Sequence, residues 1–203
     1  MKLLKDAQED EKKLIINEAS LIAFLDSNEL IKCVDLFYFN KQIFIMLEYM
    51  EYGAMTDIVL GYHKIYSEDF CRYCLYKAAL GLTKMHRHNV LHRDIKSDNI
   101  LYNAEGEIKI TDLGFACFLS QQQQWRKTKR GTPNWVSPEV SQGVFYSKEI
   151  DVWSFGCFAH ELATGMPPFA NVRDRKQLTY NIQNVDVPEV SGNWSPEFKD
   201  FIK

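Results

Sequence analysis

The chain has 203 residues, 46% of them apolar, and a formal net charge of −3, so it reads as globular rather than disordered, with no general pull towards nucleic acid or an anionic membrane. No apolar run reaches the roughly 18 residues of a membrane span, and Met1-Lys2-Leu3-Leu4-Lys5-Asp6 opens no secretory signal. Its cysteines (Cys33, Cys71, Cys74, Cys117, Cys157) are odd in number and scattered, which suits a reducing, cytoplasmic setting.

In chain order, a charged amphipathic segment at about 8–25 predicts a helix with Leu14, Ile15, Glu18, Leu21, Ile22 and Leu25 along one side. Two β-rich runs, 31–39 and 42–49, joined by Asn40-Lys41, predict a hairpin. Ser67-Glu68-Asp69 caps a long helix that ends before Val90. On it, Cys71, Cys74, Leu75, Ala78, Leu82 and Met85 step by three and four. The Cys71-x-x-Cys74 pair therefore reads as buried thiols rather than zinc ligands, since no second Cys/His pair follows at finger spacing. Short strands near 100–102 and 107–110 flank the turn Asn103-Ala104-Glu105-Gly106, and the polar run 121–124 predicts a mobile loop. Residues 147–164 are apolar nearly all round (Val152, Trp153, Phe155, Cys157, Phe158, Leu162), which predicts a buried helix stopped by Gly165 and Pro167-Pro168. Helices at about 175–183 and from Ser195 finish the chain.

The most specific string is His92-Arg93-Asp94-Ile95-Lys96-Ser97-Asp98-Asn99. The four fixed residues of H-R-D-x-x-x-x-N arise by chance at about one start point in 10^5, taking about one in twenty per residue type. Downstream come Asp112-Leu113-Gly114, Gly131-Thr132-Pro133, Ser137-Pro138-Glu139 and Asp151-Val152-Trp153-Ser154-Phe155-Gly156. Five strings in this order resemble the eukaryotic protein-kinase domain. The stretch Lys12-Lys13-Leu14-Ile15-Ile16-Asn17-Glu18, the string Asp94-Ile95-Lys96-Ser97-Asp98-Asn99, and Gly114-Phe115 after Asp112-Leu113 are similar to PAK-like serine/threonine kinases of the Ste group. Germinal-centre kinases are the neighbouring alternative.

The resemblance implies an α+β, bilobal kinase fold in truncated form. Residues 1–47 would be a partial small β-lobe with its regulatory helix, 48–53 the hinge, and 54–203 a mainly helical large lobe lacking its last helices. No G-x-G-x-x-G occurs, so the phosphate-covering loop would be missing. By the same resemblance, Asp94 is the catalytic base and Lys96 holds the γ-phosphate, an Asp-x-Lys spacing that resembles serine/threonine rather than tyrosine kinases. Asn99 and Asp112 would bind Mg2+ as hard oxygen donors. Leu113 stands where the usual residue is Phe and keeps an apolar side chain there. Glu18 would pair with a strand lysine that grips the α- and β-phosphates of ATP; Lys2 is one candidate, Lys5 competes, and a lysine upstream of Met1 is a third. Backbone groups of Glu48 and Met50 would bond adenine, with Leu47 as gatekeeper and Asp57 reaching the ribose.

Further along, Thr128 matches an activation-loop phosphosite whose charge Arg93 would neutralise. Unmodified, the loop carries Arg126, Lys127, Lys129 and Arg130 beside Thr128, so it is expected to be repelled from Arg93 and unable to order itself. Thr132 would brace the catalytic loop, Asp151 would anchor it, and Glu139 would pair with a late arginine that this chain lacks. Ser137 and Asn134 replace the usual Ala and Tyr, and Asp98 matches a position that reads basic residues before the acceptor. The implied cofactors are ATP and Mg2+. The implied partners are protein substrates with Ser/Thr acceptors and a small GTPase acting through a region absent here, with no nucleic acid and no membrane span. Rival readings are a pseudokinase or scaffold, and an inactive fragment of a germinal-centre-type kinase.

Overall fold

The computed structural model describes residues 2–4, 9–40, 42–62 and 67–203, with side chains from Leu14 onward except at 62. Strand β1 (Lys2–Leu4) precedes helix α1 (Glu9–Leu25), which forms where the amphipathic pattern places it. Ile15, Glu18, Leu21, Ile22 and Leu25 are buried as expected, but Leu14 is exposed. In that half the helix packs on the sheet through Ile15 and Ala19 against Ile45. Leu14 lies about 100° round the helix from Ile15 and misses that contact.

Strands β2 (Cys33–Phe39) and β3 (Gln42–Leu47) form the expected antiparallel hairpin; Lys41 of its turn lies outside the described residues. The sheet order is β1-β3-β2, with Leu36 and Leu3 set opposite Ile45 and Phe44 on either side of β3. Between α1 and β2 the chain docks on a later strand: Ile31 N donates to Ile110 O at 2.9 Å and Ile110 N to Glu29 O at 2.9 Å. This ties the sheet to the helical part of the molecule.

The sequence does not announce helix α2 (Met55–Tyr62): among its described residues only Met55 and Val59 are buried, a pair too sparse for a helical period. Helix α3 (Glu68–Arg87) has its predicted cap, Ser67 Oγ accepting from Phe70 N at 3.3 Å, and its predicted stripe is buried. Burial pushes the Cys71 and Cys74 thiols up to about 12, which makes them poor thiolate donors. At Gly81 an added Cβ would lie 2.9 Å from the Glu29 carbonyl and 3.0 Å from Ile110 Cδ1, so α3 crosses this junction at backbone contact.

Strands β4 (Val90–Leu91), β5 (Ile100–Tyr102), β6 (Ile108–Ile110) and β7 (Cys117–Phe118) form two small ladders, β4 with β7 and β5 with β6. After them come α4 (Pro138–Gln142), α5 (Glu149–Thr164), α6 (Arg175–Asn184) and α7 (Pro196–Ile202). The main core joins α1, α3, α5 and α7 through residues such as Leu21, Leu75, Phe158 and Phe198. α5 is less enclosed than its apolar sequence predicts. Phe158 and Leu162 are fully buried, whereas Val152 on the opposite side is 60% exposed. Among the described residues no helix is long and apolar enough to cross a membrane.

Candidate active site

The two ladders bring the key strings together. β4 and β5 bracket residues 92–99, while β6 and β7 bracket 111–116. Because Ile100 pairs with Ile110, Asn99 and Thr111 fall opposite each other, and Thr111 N donates to Asn99 O at 2.9 Å. Asp112 follows directly, in left-handed backbone with φ 58°. One hairpin register thus delivers Asn99 and Asp112 to the same edge. Leu113 is fully buried in the main core, the packing role expected of it.

Asp151, in the first turn of α5 and fully buried, holds the loop from beneath. Its Oδ2 accepts from His92 N at 2.9 Å and from His86 Nε2 at 2.8 Å, and its Oδ1 accepts from Arg93 N at 2.7 Å. Arg93 sits at φ +70°, which costs a non-glycine residue about 1–3 kcal/mol and needs such restraint. His92 adds a second tie. Asp94 N donates to its Nδ1 at 3.2 Å, so Nε2 carries the proton and donates to Thr111 O at 3.0 Å.

Around Asp94 the side chains converge. Thr132 Oγ1 donates to Asp94 Oδ1 at 2.6 Å, and Lys96 Nζ donates to Thr132 Oγ1 at 2.9 Å while lying 3.4 Å from Asp94 Oδ2. Asn99 Nδ2 donates to Asp94 O at 2.7 Å and to Asp94 Oδ2 at 3.1 Å. A carboxylate held this way has a fixed direction, and the ammonium beside it offers charge to an anion. With both Asn99 amide protons committed to Asp94, its Oδ1 is the atom left to meet a cation. An amide oxygen and the Asp112 carboxylate are the hard donors that Mg2+ takes, with phosphate and water completing the shell, so the residues fit the ion.

Glu18 is buried on α1, and its carboxylate and that of Asp112 both approach Gly114. A Cβ there would lie 3.3 Å from Asp112 Oδ1, close enough to press on that acid, and 4.0 Å from Glu18 Oε2, in ordinary contact. The Lys2 side chain and Lys5 lie outside the described residues.

At the connector the expectation changes in part. The Glu48 amide is already used, donating to Lys32 O at 3.0 Å. Its carboxylate accepts from Lys32 N at 2.7 Å and from Lys109 Nζ at 2.7 Å. Because β3 ends at Leu47, ladder pairing stops, and among the described residues neither the Glu48 carbonyl nor the Met50 amide has a backbone partner. The Met50 side chain is buried and Leu47 packs against the same core. Asp57 is exposed in the first turn of α2.

Thr128 is where the repulsion argument fails. Arg93 Nη1 donates to the unmodified Thr128 hydroxyl at 2.9 Å, and Tyr146 Oη donates to Thr128 O at 2.7 Å. The loop is also laddered to Tyr146, with Arg126 N to Tyr146 O and Tyr146 N to Arg126 O both at 2.9 Å. Neutral backbone carbonyls and aromatic faces take up the loop's cations. Arg126 reaches Phe118 O, and Lys127 lies 5.4 Å from the Phe145 ring centre. Glu139, half-buried on α4, has no ion pair among the described residues. It lines a cavity of about 370 Å³ with Trp153, whose buried indole N–H has no partner.

Glu161 and Lys109 escaped the sequence reading. Glu161 Oε2 accepts from Ser97 N at 3.1 Å and Trp135 Nε1 at 2.6 Å, and its Oε1 accepts from Ser97 Oγ at 2.7 Å. It therefore clamps the loop of Asp94 to the loop of Thr132. Burial pushes its carboxyl up to about 7 against the pull of these bonds. A lone acid in the apolar run of α5, and a lone lysine between Ile108 and Ile110, were the available signals.

The protein kinase domain family matches residues 1–203. The relatives include serine/threonine-protein kinase SMU1 of Mycosarcoma maydis, 36% identical over 197 residues, covering 96% of this chain and 26% of that protein. Serine/threonine-protein kinase pakA of Talaromyces marneffei is 36% identical over 194 residues, 95% of this chain and 30% of that protein. For pakA of Dictyostelium discoideum the figures are 33% over 193 residues, 94% and 16%. The chain spans less than a third of the length of each of these relatives. With five motif strings in order and a family match along its whole length, the chain belongs to the protein kinase domain family.

Proposed function

We propose that the protein is a PAK-like serine/threonine kinase that transfers the γ-phosphate of ATP to Ser and Thr hydroxyls of protein substrates. The observation that carries this is the triangle of Asp94, Lys96 and Thr132, closed by bonds of 2.6 Å and 2.9 Å and an ion pair of 3.4 Å. Asp94 accepts the proton of the attacking hydroxyl as its oxygen bonds to the γ-phosphorus and the bond to ADP breaks. Lys96 neutralises the transferring phosphoryl oxygens, and Thr132 keeps Lys96 and Asp94 in one geometry. Asn99 Oδ1 and Asp112 would hold Mg2+, which when bound would supply positive charge to the phosphate oxygens. The Glu48 carbonyl and Met50 amide take the adenine edge, Asp57 a ribose hydroxyl, and Glu18 pairs with the phosphate-gripping lysine.

In this reading, residues 1–47 are the small-lobe portion, 48–53 the connector and 54–203 the large-lobe portion. Thr128 is the phosphosite, with Arg93 already placed at its hydroxyl. The scattered cysteines carry the further proposal of a cytosolic setting. A peptide array with the protein, ATP and Mg2+ tests the reading. Labelling of Ser/Thr peptides with basic residues before the acceptor is expected, through Asp98. Equal labelling of Tyr peptides, or no phosphoryl transfer, overturns it.

A further inference from the structure

A cavity of about 290 Å³ opens beside Thr132, between the loop at 129–136 and helix α6. Apolar residues such as Pro133, Val136 and Leu178 line it together with the hydroxyls of Ser141 and Thr179 and the cations Lys129, Arg130 and Arg175. No acidic residue lines it, and among the described residues none of the three cations has a carboxylate partner. Neutral groups hold two of them. Lys129 Nζ donates to Ser141 O at 3.1 Å, and Arg130 lies 5.6 Å from the Phe115 ring centre.

The frame around the cavity is built. Gln183 Nε2 on α6 donates to Ser141 Oγ on α4 at 2.9 Å, joining the two helices behind it. Gly143 caps α4 at φ +74°, and a Cβ there would come 2.8 Å from Lys129 Cε, so the bare glycine leaves room for the lysine stem. Three uncompensated positive charges around one concavity raise its potential and favour an anionic guest. The cavity also adjoins the reaction centre through the chain. Gly131 and Pro133 line it, and Thr132 between them bonds Asp94.

We infer that this groove is a specificity subsite for an anionic side chain, carboxylate or phosphate, that follows the acceptor Ser or Thr in the substrate. The inference rests on the kinase reading above and deepens it. With Asp98 reading basic residues before the acceptor, the preferred substrate is bipolar: cationic ahead of the hydroxyl and anionic behind it.

The test uses peptides sharing one Ser acceptor and one basic leader, with Ala, Glu, phosphoserine or Lys at each of the first three positions after the acceptor. Binding is read by fluorescence anisotropy and phosphorylation is read separately. At one or more of these positions, Glu and phosphoserine are expected to bind about fivefold to tenfold tighter than Ala, and Lys weaker, with the preference fading as salt is raised. Arg175→Gln and Lys129→Gln should each erase most of that preference and leave the Ala peptide unaffected. The two anionic arms separate a carboxylate guest from a phosphate guest, since a phosphate site favours phosphoserine over Glu more than charge alone explains. Equal binding of all peptides, no binding, or a preference that survives both substitutions overturns the subsite. Phosphorylation without an acidic preference removes the groove and keeps the kinase reading. Selective binding without phosphorylation of any peptide does the reverse.

Discussion

Residues 92–99 and 120–130 are both polar loops close to the same carboxylate, yet they are built differently. In the first, His92, Asp94, Ser97 and Asn99 are buried, and each bonds a group from elsewhere in the chain or a neighbour in the loop. In the second, every residue except Arg126 is exposed, and the hold is the ladder to Tyr146 plus the Arg93–Thr128 contact. The difference lies below the loops. Two buried acids of α5, Asp151 and Glu161, rise under the first, whereas the second leans on one tyrosine. Buried carboxylates make a loop rigid because leaving any of their donors unmet is costly. An exposed loop can exchange its bonds with water and so can be switched.

The sharpest way to separate positioning from chemistry is Asp94→Asn. The amide can still accept from Thr132, and position 94 supplies no core volume, so thermal unfolding should shift by only a few degrees. Turnover should fall by roughly 10²–10⁴-fold, since Asn cannot take the hydroxyl proton. Near-normal turnover in a steady-state assay would show that Asp94 is not the base that takes the hydroxyl proton.

Asp151→Asn inverts that pattern. Its amide nitrogen would confront at least one of the three donors from His86, His92 and Arg93. Urea unfolding should show a loss of about 2–4 kcal/mol, with activity falling alongside it. A stable Asp151→Asn protein would mean that the first loop is not held from below, and the contrast between the loops would collapse.

Much of this was legible because the motifs fall where chain direction is strongly constrained. The strings at 92–99, 112–114 and 151–156 could be assigned roles before any coordinate, and the long helices showed in their caps and stripes. Three things were hidden. α2 buries too few side chains to leave a period. The Glu161 clamp joins residues 26 and 64 positions from it in sequence, to Trp135 and Ser97, and no local pattern encodes that. The hold on Thr128 depends on a tyrosine 18 residues away whose backbone ladders with Arg126, so counting the loop's own charges gave repulsion where the structure has contact.

Glu161→Gln asks whether charge or neutral hydrogen bonding holds the first loop. Glu161 is pushed up to about 7 chiefly by burial, from an ordinary carboxylate value near 4.5. Between those pH values the folded protein keeps a proton that the unfolded chain has released. Stability therefore falls as pH rises through this window, and the cost is complete above it. Asp98 is the charged neighbour that adds to the upward push, while Ser97 and Trp135 pull the other way. A glutamine can accept from Ser97 N and Trp135 Nε1 with its oxygen and donate to Ser97 Oγ with its nitrogen. The variant should match the parent near pH 4.5 and exceed it by roughly 1–3 kcal/mol at pH 8 in urea unfolding. Parallel profiles across that range would show that Glu161 does not titrate there.

The smallest effect belongs to the second loop, in Tyr146→Phe. The ring is buried and would stay packed, so only the hydroxyl is lost, with its 2.7 Å bond to Thr128 O and its 3.1 Å contact with Thr128 Oγ1. Thr128 is exposed, so water replaces the lost donor and no buried group is orphaned. The backbone ladder between Arg126 and residue 146 remains. Global stability should fall by no more than about 1 kcal/mol. Amide exchange at 127–130 should quicken while that at 92–99 stays unchanged. Phosphorylating Thr128 should then slow exchange again, because Arg93 gains a charge-assisted bond in place of a neutral one. Arg93→Ala should cancel that rescue. If exchange at 92–99 quickens in step with 127–130, the two loops open as one unit, and a switch confined to the second is excluded.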